Sequence, residues 1–261
     1  MSIEAYRHYR RACKTVPFQG SYMPYRWGGL PQRLHVRWMA YNEFFNTFAS
    51  ELANAINQLT NTVHRLRCWA VVLPQLSDRL RVEALMEFVD PHATVALSLP
   101  YAIRSRFVLA TAHLCHQANQ AMLGQAWKDD LRSDEKIVFQ DADEKGREWK
   151  QYLPLKAALE QISNAQHRSD TGNFRNAFQH QMPPHVALGL SGLMRRTVDP
   201  KTGAARYEAG ETQPLGVGDI ATALASQAEA CQVAFSRFQE LVREHEGEII
   251  RANTEDLARL G

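Results

Sequence analysis

Arg175, Asn176 and His180 stand together in the stretch FRNAFQHQMPPH, which runs from Phe174 to His185 and ends on two prolines. A histidine changes charge near neutral pH, so it can take a proton from an attacking hydroxyl or give one to a leaving oxygen. An arginine can hold a phosphate by two parallel hydrogen bonds and steady its growing negative charge. Asn176 and His180 are four residues apart and share a helix face, where the amide could fix the imidazole tautomer. Arg175 and His180 are five apart, roughly 140° around an ideal helix. They reach one phosphate only if the helix end unwinds before Pro183-Pro184, or if a second chain completes the site. The competing reading makes both residues polar helix-end groups, placed where cations are favoured.

Other side chains could carry other chemistry. His113, Cys115 and His116 could hold a metal if a third helix supplied a ligand, and His167, Asp170, His180 and His185 could do so from one region. The sequence has no HExxH, no repeated Glu-x-x-His, no GxSxG and no glycine-rich nucleotide loop. No cysteine has an evident histidine partner. The expectation is therefore no metal and no cofactor, with these histidines packed and hydrogen-bonded.

The elements that must position Arg175 and His180 are mostly helical. Phe45, Phe48, Leu52, Ile56, Leu59, Val63, Leu66, Ala70 and Leu73 recur at steps of three and four, predicting one long amphipathic helix stopped by Pro74. A shorter helix is predicted over Leu80–Val89, ended by Asp90-Pro91. Pro100 is expected in the first turn of the next helix, which carries Ile103, Phe107, Ala110, Leu114, Ala118 and Met122 on one face. Residues 128–147 read as an acidic, solvated loop. A fourth helix is expected from about Arg147 to Asn164, with Trp149, Tyr152, Leu155, Leu159 and Ile162 inward.

After the loop HRSDTG comes the quoted stretch, expected as two helical turns capped by Asn173. MRRTVDPKTGAARYE predicts a hairpin at about 193–208, turning at DPKTG. A last long helix begins near Asp219. The fold class is thus all-α: an antiparallel bundle of about five main helices, spanning 41–261, with one small β-hairpin. Residues 1–40 form a basic, aromatic N-terminal arm, a short helix followed by irregular chain.

An apolar fraction of 45% and a charged fraction of 22% place the 261 residues among ordinary globular chains. The net charge of +2 argues for no acidic partner by itself, but its distribution is uneven. The arm holds Arg7, Arg10, Arg11, Lys14, Arg26, Arg33 and Arg37 against Glu4 alone. Its basic residues are interleaved with aromatics such as Trp27, a combination that can grip a nucleic-acid strand by phosphate pairing and base stacking. The alternative is an arm that packs its aromatics onto the body. Cys13, Cys68, Cys115 and Cys231 form no CxxC pair, as suits reduced thiols in a cytoplasmic protein. The apolar runs are too short to cross a bilayer.

RNAFQH resembles the signature of the HEPN superfamily: an arginine, a polar residue that is often asparagine, and a histidine four to six positions after the arginine. The resemblance covers about residues 41–245. It implies an all-α bundle with the motif ahead of a final long helix, and a homodimer whose two motifs face each other. It also implies a metal-independent endoribonuclease, or an RNA-binding relative, with His180 as general acid/base, Arg175 as phosphate clamp and Asn176 as support. His185, Arg7, Arg10, Arg11, Arg26 and Trp27 are the candidate substrate contacts. An antitoxin or operon partner follows from the same resemblance, although Met182 stands where some toxin members carry a modified tyrosine. A second arginine–histidine pair, Arg106 and His113, lies inside an amphipathic helix with Phe107 after the arginine and is set aside. The alternatives are a non-catalytic helical interaction module and a metal-dependent bundle of the DinB-like kind.

Overall fold

The computed structural model describes residues 3–259, with Arg195 as backbone alone; Met1, Ser2, Leu260 and Gly261, at the outer ends of the expected arm and bundle, lie outside the described residues. The fold is an all-α helical bundle with one small β-hairpin. In chain order its elements are α1 (Ile3–Thr15), α2 (Met39–Val72), α3 (Asp78–Ala84), α4 (Asp90–Leu123), α5 (Phe139–Gly146), α6 (Tyr152–Gln161), α7 (Ala165–Asp170), α8 (Phe174–His180), β1 (Met194–Val198), β2 (Ala205–Ala209) and α9 (Val217–Ala258). The chain divides into two compact units. The first comprises Met1–Gly20, Leu59–Leu99 and Ser163–Gln227, and the second comprises Ser21–Gln58, Pro100–Ile162 and Ala228–Gly261.

In the first unit, Leu59, Val63, Leu66, Trp69 and Val72 of α2 are buried at the expected spacing, and Pro74 sits in the short turn that ends the helix. The next prolines differ from expectation. Helix α3 passes through a π-helical turn, Leu85–Val89, directly into α4, so Asp90-Pro91 lies within a continuous helical run instead of ending a helix. The wider turn stands directly before Pro91, whose ring has no N–H to donate to the ladder. Pro100 lies inside α4, ten residues past its start, and there it removes a ladder bond at a cost of about 3 kcal/mol. The buried stripe runs through it, from Ala93, Ala96 and Leu97 to Ile103 and Phe107, and burial of that stripe offsets the loss.

HRSDTG is also helical where a loop was expected. Asn164 caps α7, its side chain accepting from the His167 N–H at 2.9 Å. Gly172 and Asn173 then both adopt left-handed φ, +58° and +53°. Their N–H groups donate to the Ser169 and Arg168 carbonyls, closing α7. Asn173 is thus a left-handed terminator, one of the few residues besides glycine that tolerates this conformation, and its side chain makes no cap bond to α8. The hairpin pairs Met194 with Ala209 through Val198 with Ala205, and Asp199 accepts from the Lys201 and Thr202 N–H groups in its turn, as DPKTG predicts.

The second unit buries Trp38 from the short turn ahead of α2, Tyr41, Phe45, Leu52 and Ile56 from α2, Phe107 and Leu114 from α4, and Phe235, Phe238, Leu241 and Val242 from α9. Trp149, Tyr152, Leu155, Leu159 and Ile162 are buried as expected, although α6 begins only at Tyr152. The acidic segment is a solvated loop only in its first part, where residues 128–133 are irregular and mostly exposed. Residues 139–146 form α5, because basic and imidazole side chains engage the segment's carboxylates. Arg132 pairs with Asp141, Lys145 with Asp130 and Glu144, and Lys156 with Asp143. Arg132 holds the Asp141 carboxyl below the usual carboxylate range, and Lys145 does the same for Asp130.

Gly146 ends α5 under the Tyr152 ring, which is fixed by its hydroxyl donating to Asp143 Oδ1 at 2.6 Å. A Cβ at position 146 would stand 2.4 Å from Tyr152 Cδ2. Gly146→Ala is expected to lower stability by about 1–3 kcal/mol, read as a lower urea midpoint at unchanged m-value. An unshifted midpoint would mean that the ring gives way freely.

Candidate functional site

Helix α8 forms where the motif was read, and it stays regular through His180. Arg175 and Asn176 are half-buried, and His180 and His185 are exposed. With the helix intact, Arg175 and His180 are roughly 140° apart around its axis, so one chain does not aim both at one phosphate. The expected support of His180 by Asn176 is not made: among the described residues neither side chain has a hydrogen-bond partner. Phe174 and Ala177 form the buried side of the helix, and the exposed Phe178 ring stacks on Phe174 at 5.7 Å. His185 follows the two prolines, and its carbonyl accepts from the Leu215 N–H at 2.8 Å.

The basic arm is split between the units. Arg26 and Trp27 belong to the second, in irregular chain whose backbone is satisfied by buried polar side chains. Met23 N–H donates to Asn57 Oδ1, Gly29 N–H to Glu246 Oε1 and His35 N–H to Asn253 Oδ1, each at 2.7 Å. The Trp27 ring is half-buried and meets Phe45, Phe235 and Phe238 in T-shaped contacts, while it lines the same cleft as Arg26. Arg26 is exposed at the rim of that cleft.

Arg7, Arg10 and Arg11 are exposed on α1, in the first unit, which also contains α8. Arg10 opens onto a groove of about 270 Å³ lined by Tyr6, Tyr9, Arg65, Trp69, Phe88 and His92. The four aromatic rings close into one cluster. Tyr9 stacks on Trp69 at 4.6 Å and 13°, Trp69 on Phe88 at 5.4 Å and 17°, Phe88 on Tyr6 at 6.0 Å, and Tyr6 lies 5.9 Å from Tyr9. Trp69 is buried, whereas Tyr6 remains 43% exposed at the rim of the cluster. Burial and the adjacent Cys13 push the Tyr9 hydroxyl well above its ordinary pKa, keeping it a neutral donor. Two guanidinium groups at the edge of a ring stack can hold a phosphate while an exposed ring receives a base.

Sequence reasoning found Arg10 but missed the rest of this groove. The signal was present as pairs sharing helix faces: Tyr6 with Tyr9 in α1, and Arg65 with Trp69 in α2.

Two of the histidines weighed as metal ligands pair with carboxylates. His113 Nε2 lies 2.9 Å from Asp134 Oδ1, and His116 Nε2 lies 3.0 Å from Asp129 Oδ1. His167 is buried, which pushes its imidazole below the ordinary histidine range. Two cysteines do have histidine neighbours, contrary to expectation: Cys68 Sγ is 3.7 Å from His64 Nε2, and Cys115 Sγ is 3.6 Å from His245 Nε2. No family model, curated protein or solved structure matches the chain. No helix among the described residues is long and apolar enough to cross a membrane.

Proposed function

We propose that this protein is a HEPN-like RNA-binding protein of the cytoplasm that acts as a homodimer. Single-stranded RNA lies along α1, and Arg175, Asn176 and His180 from two chains combine to cleave it without a metal. The observation that carries the reading is the α1–α2 groove, where Arg10 and Arg65 flank a cluster of four aromatic rings whose Tyr6 is exposed. Phosphate pairing supplies affinity that is independent of sequence, and the exposed ring tolerates any base. The geometry of α8 supports a two-chain site: His180 is exposed, and only a second chain can bring an arginine opposite it while the helix stays regular. Arg7 and Arg11 extend the positive face. The paired acidic segment of the second unit is not available as a cation site. An antitoxin or operon partner is the natural regulator of such an enzyme.

The test is binding of a fluorescein-labelled single-stranded RNA to the full-length chain, followed by anisotropy across a salt series. Replacing Arg10 and Arg65 together by alanine is expected to weaken binding at least tenfold and to make the log–log salt slope shallower by roughly two phosphate contacts. Retained affinity with an unchanged slope would remove the groove from the reading. The non-catalytic interaction module is favoured by one observation: nothing in a single chain orients His180. It predicts RNA binding without cleavage.

A further inference from the structure

The first unit holds a cluster that the proposed RNA chemistry does not use. His64 and Cys68, four residues apart on α2, share a helix face, and Cys13 in the last turn of α1 meets them. The Cys13 Sγ, the Cys68 Sγ and one His64 nitrogen all lie within 4.8 Å of one another. We propose that Cys13, His64 and Cys68 form a zinc site of the Cys₂His type, with the fourth coordination position left to water or an exogenous donor.

The distances suit this assignment. Bonds of about 2.3 Å to sulfur and 2.0–2.1 Å to nitrogen place the donors of a tetrahedral zinc centre roughly 3.4–3.8 Å apart. His64 Nε2 and Cys68 Sγ are already 3.7 Å apart, so one rotamer adjustment at Cys13 brings the third donor to the centre. The donor set selects for the metal: two thiolates and an imidazole are borderline-soft ligands that favour zinc over magnesium or calcium. Charge balances as well. Zinc displaces one proton from each thiol, and Zn²⁺ with two thiolates and a neutral imidazole is a neutral centre that Arg65 and Arg67 do not repel. The His64 ring is held in place by the edge of Phe18 at 5.4 Å, and its Nδ1 is buried without a hydrogen-bond partner among the described residues.

The centre would tie α1 to α2 at a point adjoining the groove. Tyr9 and Cys13 lie one turn apart on α1, as do Arg65 and Trp69 on α2, where each directly follows a ligand. Both cysteine ligands are free of disulfides, and Cys68 is buried. A disulfide between Cys13 and Cys68 is the competing use of the same thiols.

The experiment is cobalt titration of the full-length, reduced and metal-stripped protein, followed by displacement with zinc. One equivalent of cobalt is expected to give a thiolate-to-metal charge-transfer band in the near ultraviolet and visible bands of tetrahedral intensity, both abolished by stoichiometric zinc. Cys13→Ser and His64→Ala are each expected to weaken zinc binding at least tenfold, as measured by competition with a chelating dye. Far-ultraviolet circular dichroism establishes that the variants are folded. The assignment is overturned by absence of the charge-transfer band from the reduced wild-type chain, or by a band that survives both substitutions.

Discussion

Between pH 6.5 and pH 4.5 the protein is expected to lose stability at up to about 1.4 kcal/mol per pH unit, and His245→Gln is expected to remove most of that slope. The cause lies in the second unit. His245 is fully buried on α9, with Nδ1 3.1 Å from the Tyr41 hydroxyl, Nε2 3.6 Å from Cys115 Sγ and the Trp149 ring edge-on at 4.3 Å. Burial pushes the imidazole down to about 3 from its ordinary 6.5. The folded state therefore stays neutral where the unfolded chain takes up a proton. The unfolded state binds more protons throughout this window, so stability rises with pH and falls on acidification.

Over those two pH units the linkage is worth about 2–3 kcal/mol, a sizeable part of a domain's total. Glu246 works in the opposite direction, because burial raises its carboxyl, but it is present in both proteins and cancels in their difference. Glutamine keeps an amide for the Tyr41 hydroxyl without a titrating ring. Urea midpoints at pH 7, 6 and 5 make the comparison, and parallel curves for wild type and variant would show that His245 does not stay neutral.

The second large effect is on RNA cleavage. His180→Ala and Arg175→Ala are each expected to lower the rate in EDTA by about 10²–10⁴-fold, since one removes the proton-transfer group and the other the phosphate clamp. The products should carry a 2′,3′-cyclic phosphate and a 5′-hydroxyl, because the attacking group is the adjacent ribose hydroxyl. The regular helix through His180 adds a sharper expectation. When each site takes its arginine from one chain and its histidine from the other, mixing the two dead variants restores activity. Random pairing makes half of the dimers mixed, each with one intact site, so roughly a quarter of the wild-type rate should return. No recovery on mixing would confine both residues to one chain. No cleavage by folded wild-type protein would leave α8 as a helix end and the protein as a binding module.

What could be read from the sequence was what repeats. Helices α2 and α9 announced themselves through apolar residues at steps of three and four, and the hairpin through the turn chemistry of Asp199 to Gly203. Prolines were misleading because their position in a helix matters more than their presence. Pro91 follows a π-helical turn without ending the helix, and Pro100 is carried inside one by the buried stripe on either side. Helix α5 was hidden in an acidic run because its pairing, with Arg132 and Lys145 inside the run and Lys156 beyond it, is made only on folding. The α8 motif was legible as a helix, but the orientation of its side chains was not. Trp27 looked like a stacking surface, yet how much of its ring faces solvent depends on Phe45, Phe235 and Phe238, which are brought to it only by folding. The Cys13–His64–Cys68 cluster was illegible for the same reason: α1 and α2 are separated in sequence by a long irregular segment.

The hairpin has a practical side. Every residue of β2 is exposed, and the turn at Asp199–Gly203 is held by its own side-chain bonds. The ribbon contributes almost nothing to either hydrophobic interior. It is therefore a handle: a fluorophore, an affinity tag or a spin label placed at Lys201 would report on the first unit without disturbing the groove, the thiol cluster or α8.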